Sequence, residues 1–184
     1  MTLSTATTTD TSAAPAWAVA PATVTSPEAV ALLRDYLIDV SDRYYLHHQG
    51  RVSTPEEIEE GLAAFPSDDL APPTGLFLLG RLGGRPQACA GLRVLDTGTV
   101  ELTRVFVRSE ARGSGGGARL LAAVDEAARG LGARRIVLDT RLDLVEARAL
   151  YTRHGYAEIP AYSDGPYAEV WYGKDLTTAV PAGA

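Results

Sequence analysis

Arg112-Gly113-Ser114-Gly115-Gly116-Gly117 is the stretch whose reading decides the fold of this chain. It follows an apolar, strand-like run from Val100 to Val107 and opens into an alanine- and leucine-rich run, Ala118 to Leu131, that reads as a helix. A strand, a glycine-rich turn and a helix start are what an anion site made of backbone requires. Glycines let main-chain N–H groups approach a phosphate closely, and the helix N-terminus adds partial positive charge. The turn is therefore a candidate diphosphate cradle. Gly116 has no evident role beyond close backbone approach, although a glycine there costs several tenths of a kcal/mol or more against alanine.

Upstream of the turn, three strands are expected over Leu76–Leu82, Gln87–Leu95 and Val100–Val107. Gly83-Gly84 and Asp96-Thr97-Gly98 separate them as hairpin turns, giving an antiparallel meander. Further upstream, Ser26-Pro27-Glu28 is a helix start, followed by apolar residues at helical spacing through Tyr44. Thr54-Pro55-Glu56-Glu57 resembles a capping box and opens a shorter helix to about Ala64. A short strand is expected from Trp17 to Pro21. Downstream, the helix after the turn carries Leu120, Leu121, Val124, Ala128 and Leu131 on one stripe. Arg135–Thr140 is a β-rich run expected to lie parallel to Val100–Val107 through a right-handed crossover. A helix from Leu144 to His154 ends at Gly155, and Ala168–Tyr172 reads as a last strand. The expected organisation is one domain over 16–177, a disordered tail at 1–15 and a C-terminal tail at 178–184.

The chain has 184 residues, enough for one domain with a sizeable core. No apolar run approaches the roughly 20 residues of a membrane span, and the N-terminus lacks the basic start and apolar centre of a secretion signal. Cys89 is the lone cysteine, so an intramolecular disulfide is excluded and a cytoplasmic setting is expected. Three histidines and one cysteine are a poor supply for a metal site, and none is expected. The net charge of −6 argues against a nucleic-acid surface.

Three diphosphate carriers compete for the turn. A P-loop needs Lys followed by Ser or Thr after the last glycine, and Ala118-Arg119 stands there instead. A dinucleotide fold places its glycines after the first strand of alternating strand–helix units, whereas this turn follows a meander and its spacing differs. Coenzyme A is the third. Arg112, Gly115 and Gly117 match an Arg/Gln-x-x-Gly-x-Gly/Ala signature, and Leu150-Tyr151-Thr152-Arg153-His154-Gly155-Tyr156 matches a Leu-Tyr-x-x-x-Gly-Phe/Tyr segment about 35 residues on. With these two motifs and the order of elements from Ser26 to about Leu176, the chain resembles the GNAT superfamily of acyl-CoA-dependent N-acetyltransferases.

The resemblance implies an α/β fold with a mixed, mostly antiparallel central sheet, splayed parallel strands four and five, and flanking helices. It implies acetyl-CoA as co-substrate. The pantetheine arm would bond main-chain groups of Val105, Phe106 and Val107, and the diphosphate would sit on N–H groups of Arg112, Gly113, Ser114, Gly115, Gly116, Gly117 and Ala118. Tyr151 is the implied general acid for the leaving thiolate, and Glu101, eleven positions before Arg112, the candidate general base. By strand alternation Glu101, Thr103 and Val105 share one face, near the pantetheine tip. Many members carry Asn seven residues before the tyrosine; Leu144 stands there in this chain.

The family's acceptor pocket corresponds to the region Asp42–Gly50, with Tyr44, Tyr45, His47 and His48, and the loop Tyr162–Tyr167. Aromatic rings and acids there suit an amine. Arg93 and Arg104 are alternative holders of a carboxylate. His47 and His48 are read as surface residues, and Cys89, mid-strand, as core rather than a covalent acetyl carrier. The expected function is acetyl transfer to a primary amine of a small molecule or peptide. The alternative is a non-catalytic acyl-CoA-binding sensor or interaction module, and an acyl donor longer than acetyl stays open. Neither nucleic acid nor membrane is expected as a partner. The resemblance makes a homodimer an expectation.

Overall fold

Strand alternation sorts the central strands onto two apolar faces, and the helices cover both. In the computed structural model, which describes residues 16–177, the strands are β1 (Trp17–Pro21), β2 (Gly75–Leu82), β3 (Arg85–Asp96), β4 (Thr99–Val107), β5 (Arg135–Thr140), β6 (Ala157–Ile159) and β7 (Val170–Asp175). The helices are α1 (Pro27–Gln49), α2 (Pro55–Ala64), α3 (Gly116–Gly130) and α4 (Val145–Arg153). The expected tails at 1–15 and 178–184 lie outside the described residues.

The strands form one sheet in the order β1-β2-β3-β4-β5-β7-β6. Every neighbouring pair is antiparallel except β4 and β5, which run parallel through the α3 crossover. One face carries Ala88, Ala90, Leu92, Val100 and Leu102, buried against Leu120, Leu121, Val124 and Ala128 of α3. Each buried leucine there contributes about 1.5–3 kcal/mol. The other face carries Phe77, Leu79, Cys89 and Phe106, covered by Ala29 and Leu32 of α1 and by Leu70.

The caps form as the sequence predicts. Ser26 Oγ accepts from the Ala29 N–H, and Thr54 and Glu57 close a reciprocal capping box. Helix α1 runs five residues past Tyr44, to Gln49, and stops at Gly50 with φ +68°. Strand β6 is an addition to the expected elements. Three residues are too short to show a period, and they are ordered by pairing with β7.

Candidate active site

The site begins where β4 and β5 part. Their pairing covers Thr99–Arg135, Val100–Ile136 and Glu101–Val137, and then stops. Strand β4 continues to Val107 and β5 to Thr140, so both have edges facing a gap. On its other side β4 stays bonded to β3, with a register shift between Cys89 and Gly91 opposite Phe106 and Thr103. The extra residue is a bulge, and Arg104 sits in it at φ +55°. This bulge overturns the expected alternation. Val105 and Val107 pack with the α3 face, whereas Phe106 packs with the α1 face. Glu101 lies on the α1 side beside Arg93, so it does not share a face with Val105.

The glycine turn lies at the end of β4, after a 3-10 turn at Ser109–Ala111. The Arg112 N–H donates to Ser109 O and the Ser114 N–H to Ala111 O, so these two amides are already used. The N–H groups of Gly113, Gly115, Gly116, Gly117 and Ala118 have no backbone acceptor among the described residues, the last three because the first turn of a helix offers none. Gly115 is the N-cap of α3, at φ +86°. Orphaned donors at a helix start, beside an open strand edge, fit a diphosphate with an amide-bearing arm. The Arg112 side chain is held rather than free. Its Nε donates to Val107 O at 2.9 Å and its Nη2 to Asp39 of α1 at 2.8 Å.

The packing around the turn gives Gly116 and Gly117 a reason. Trp17 Nε1 donates to Ser114 O and Oγ at 3.1 and 3.0 Å, which sets the six-membered ring of the indole against Gly116. A Cβ on Gly116 would stand 2.3 Å from Trp17 Cζ2, while one on Gly117 would meet the tip of Leu150 at 3.0 Å. Gly116→Leu is therefore expected to cost about 2–3 kcal/mol by overpacking. A thermal melt would show it, and an unchanged midpoint would remove Trp17 as the reason for that glycine.

On the α1 side Glu101 is fixed from two directions. Arg93 bonds its Oε2 and also Asp69, and the Tyr162 hydroxyl donates to its Oε1 at 3.0 Å. Burial first, then the Glu101 and Asp139 charges, hold the Tyr162 proton in place well above the usual phenol range. The loop bearing Tyr162 is pinned by Trp171 Nε1 donating to Ser163 Oγ, which donates to Asp139. The two expected acceptor segments meet: the Tyr44 and Tyr167 rings stand edge to face at 5.4 Å, with Phe65 5.9 Å from Tyr167. His47 and His48 are exposed. Arg141, which the sequence reading did not single out, is buried at the end of β5. It forks onto Asp143, donates to Val40 O of α1 and lies 5.5 Å from the Tyr44 ring.

Tyr151 faces inward from α4, 6% exposed, against Tyr156 and Tyr172. Among the described residues no hydrogen bond engages its hydroxyl. Burial pushes its pKa well up, and the phenol of Tyr36, from the opposite cluster, adds to that shift. Tyr36, on α1, is not among the expected site residues. In the structure its ring is 6.3 Å from Phe106 and under the Arg104 guanidinium, so it belongs to this site as well. The N-cap of α4, Leu144, makes no side-chain bond.

Other features lie apart. A concavity of about 500 Å3, lined by Asp96, Gly98, Arg134 and Arg135, opens at the opposite end of β4 from the glycine turn. Cys89 is fully buried, its Sγ donating to Arg104 O, and burial pushes the thiol up to about 12, which suits packing rather than nucleophilic attack. Among the described residues no three His, Cys, Asp or Glu side chains are grouped to hold a metal ion, and no helix is long and apolar enough to cross a membrane.

Comparison with known proteins gives these features a family. The model of the acetyltransferase (GNAT) family matches residues 35–156. An IAA acetyltransferase of Azospirillum brasilense is 33% identical over 99 residues, which are 53% of this chain and 63% of that protein. The chain thus spans less than two thirds of this relative. An uncharacterized N-acetyltransferase of Schizosaccharomyces pombe is 30% identical over 130 residues, 70% of this chain and 79% of that one. Among solved structures, a Klebsiella pneumoniae protein assigned as an acyl-CoA N-acyltransferase superposes with a TM-score of 0.65 at 24% identity, covering 87% of this chain and 97% of that one. A GNAT acetyltransferase of Elizabethkingia anophelis with acetyl-CoA bound gives 0.56 at 17%, covering 86% and 97%. These two likenesses are of fold. Taken with the parted strands and the orphaned amides of the turn, the sequence match establishes that this chain belongs to the GNAT family of acetyltransferases.

Proposed function

We propose that the protein transfers an acetyl group from acetyl-CoA to a primary amine of a small molecule or peptide, by direct attack in a ternary complex. The observation that carries this reading is the open β4 edge leading into five N–H groups, in the glycine turn and the first turn of α3, that have no backbone acceptor among the described residues. The edge of Val105–Val107 offers main-chain partners to the pantetheine amides, although Val107 O already accepts from Arg112. The amides of Gly113 and Gly115–Ala118 hold the diphosphate. Acetyl-CoA supplies an acyl group activated as a thioester.

Glu101 takes, directly or through water, the proton an ammonium must lose before its nitrogen can bond to the acetyl carbon. Tyr151 gives its proton to the sulfur as the C–S bond breaks, the nitrogen sheds its second proton to become the amide, and that proton returns through solvent to the Tyr151 phenolate while Glu101 releases its own to solvent. A cytoplasmic setting and a homodimer are part of the proposal; the single buried cysteine supports the first.

The engagement of Glu101 by Arg93 favours the alternative of a non-catalytic acyl-CoA-binding module. Two measurements separate them: calorimetric titration with acetyl-CoA, and release of free CoA thiol across a panel of polyamines, amino acids, aminoglycosides and peptide N-termini. Binding without thiol release from any amine would leave the module; no heat with acetyl-CoA would end both readings. Glu101→Gln keeps the bond from Tyr162 and leaves Arg93 with Asp69. It is expected to lower kcat/KM by about 10²-fold. An unchanged kcat/KM would remove Glu101 as the base.

A further inference from the structure

Arg104 is the unusual arginine of this site. The other arginines around the α1 face each have a carboxylate: Arg93 has Asp69 and Glu101, Arg108 has Asp35, Arg112 has Asp39, and Arg141 has Asp143. Arg104 has none among the described residues. Its Nε donates to Ser67 Oγ at 3.3 Å, its Nη1 to Thr103 Oγ1 at 3.4 Å and its Nη2 to Phe65 O at 3.1 Å. All three acceptors are neutral and two of the bonds are long. The guanidinium carbon lies 5.7 Å from the Tyr36 ring centre. A half-buried cation served in this way keeps its charge unpaired and two of its five N–H groups, one on each Nη, for an anion.

The backbone points the same way. Arg104 stands at φ +55°, a region that costs a non-glycine residue about 1 kcal/mol or more. Glycine would hold the bulge without that cost. The arginine therefore occupies the strained position for its side chain. That side chain leaves β4 on the face of Glu101, beyond the point where β4 parts from β5, and its contact with Phe65 joins it to the aromatic wall of Tyr167 and Tyr44.

We propose that Arg104 is the anion anchor of the acceptor, so that the acceptor is an amine that also carries a carboxylate, as an amino acid does. The carboxylate lies on the two N–H groups of Arg104 that these bonds leave over, the apolar body lies along Phe65, Tyr167 and Tyr44, and the amino group is presented toward Glu101. This inference rests on the acetyl-transfer reading but is tested apart from it.

The test is calorimetric titration of the protein saturated with coenzyme A. The titrants are amino acids and their matched amines lacking the carboxylate: phenylalanine and phenethylamine, tryptophan and tryptamine, leucine and 3-methylbutylamine; thiol release from acetyl-CoA is measured with the same compounds in a separate assay. At least one amino acid is expected to bind about 30-fold or more tightly than its matched amine. Arg104→Gly, which relieves the backbone strain and so keeps its melting midpoint, is expected to close that gap to within about threefold. Arg104→Lys keeps the charge without the fork and is expected to restore part of it. If no pair shows a gap, or if the gap survives in Arg104→Gly, the anchor is overturned. Thiol release from amines without a gap sinks the anchor alone. A gap dependent on Arg104 without thiol release from any compound keeps the anchor and sinks the acetyl-transfer reading.

Discussion

Tyr151→Phe is expected to lower kcat by about 10²-fold while the acetyl-CoA dissociation constant stays within about twofold. The substitution removes one oxygen. The ring keeps its packing against Tyr156 and Tyr172, and no hydrogen bond among the described residues is lost with the hydroxyl. A purely structural tyrosine would therefore lose almost nothing on this change. A proton donor to the departing sulfur would lose turnover and not binding, because its contribution appears only as the C–S bond breaks. Its protonation follows from position: burial holds the pKa above that of a free phenol, so the proton is present throughout the neutral range and past pH 10. Wild-type kcat should accordingly show no alkaline fall near the ordinary tyrosine value. Equal kcat for wild type and Tyr151→Phe at saturating substrates would take the acid role away from this residue.

Tyr151 was legible in the sequence because it lies within a contiguous motif, and the same holds for the glycine turn and for helices begun by Ser26 and Thr54. Caps, hairpin turns and periodic strands are local, and local signals survive in a single chain. What stayed hidden depends on one-residue shifts or on long-range contacts. The bulge at Arg104 carries no sequence mark, since an arginine at positive φ is what propensity argues against, yet it flips Val105 to the α3 face and keeps Arg104 with Glu101. The hold of Trp17 on Gly116 spans 99 positions in the sequence, so that glycine had no visible cause. The sharing of Arg93 between Asp69 and Glu101 likewise joins a loop, β3 and β4. Of the two arginines that sequence alone offered for a carboxylate, only three-dimensional pairing shows that Arg93 is occupied and that Arg104, among the described residues, is not.

Gly115→Asp is expected to weaken acetyl-CoA binding by about 10²-fold or more while leaving the melting midpoint nearly unchanged. Two effects oppose each other in the fold. A side chain at φ +86° costs about 1 kcal/mol, least for Asp and Asn, which tolerate the left-handed region. A carboxylate at the N-terminus of α3 returns about 0.3–1 kcal/mol through the helix dipole. A Cβ at this position meets nothing within 4 Å, so no packing penalty is added. In binding the effects do not oppose. The new charge competes for the same amides of Gly116, Gly117 and Ala118 that the diphosphate needs, and it repels that group at contact range. Gly115→Asn has the same shape and the same backbone cost without the charge, so it should lose no more than about tenfold. The ratio between the two variants isolates electrostatics from strain, and calorimetry against a thermal melt of each reads it. Equal affinity in Gly115→Asp and wild type would mean that the orphaned amides at the head of α3 are not where the diphosphate lies. The proposed function would then lose its physical basis even though the chain would remain a member of its family.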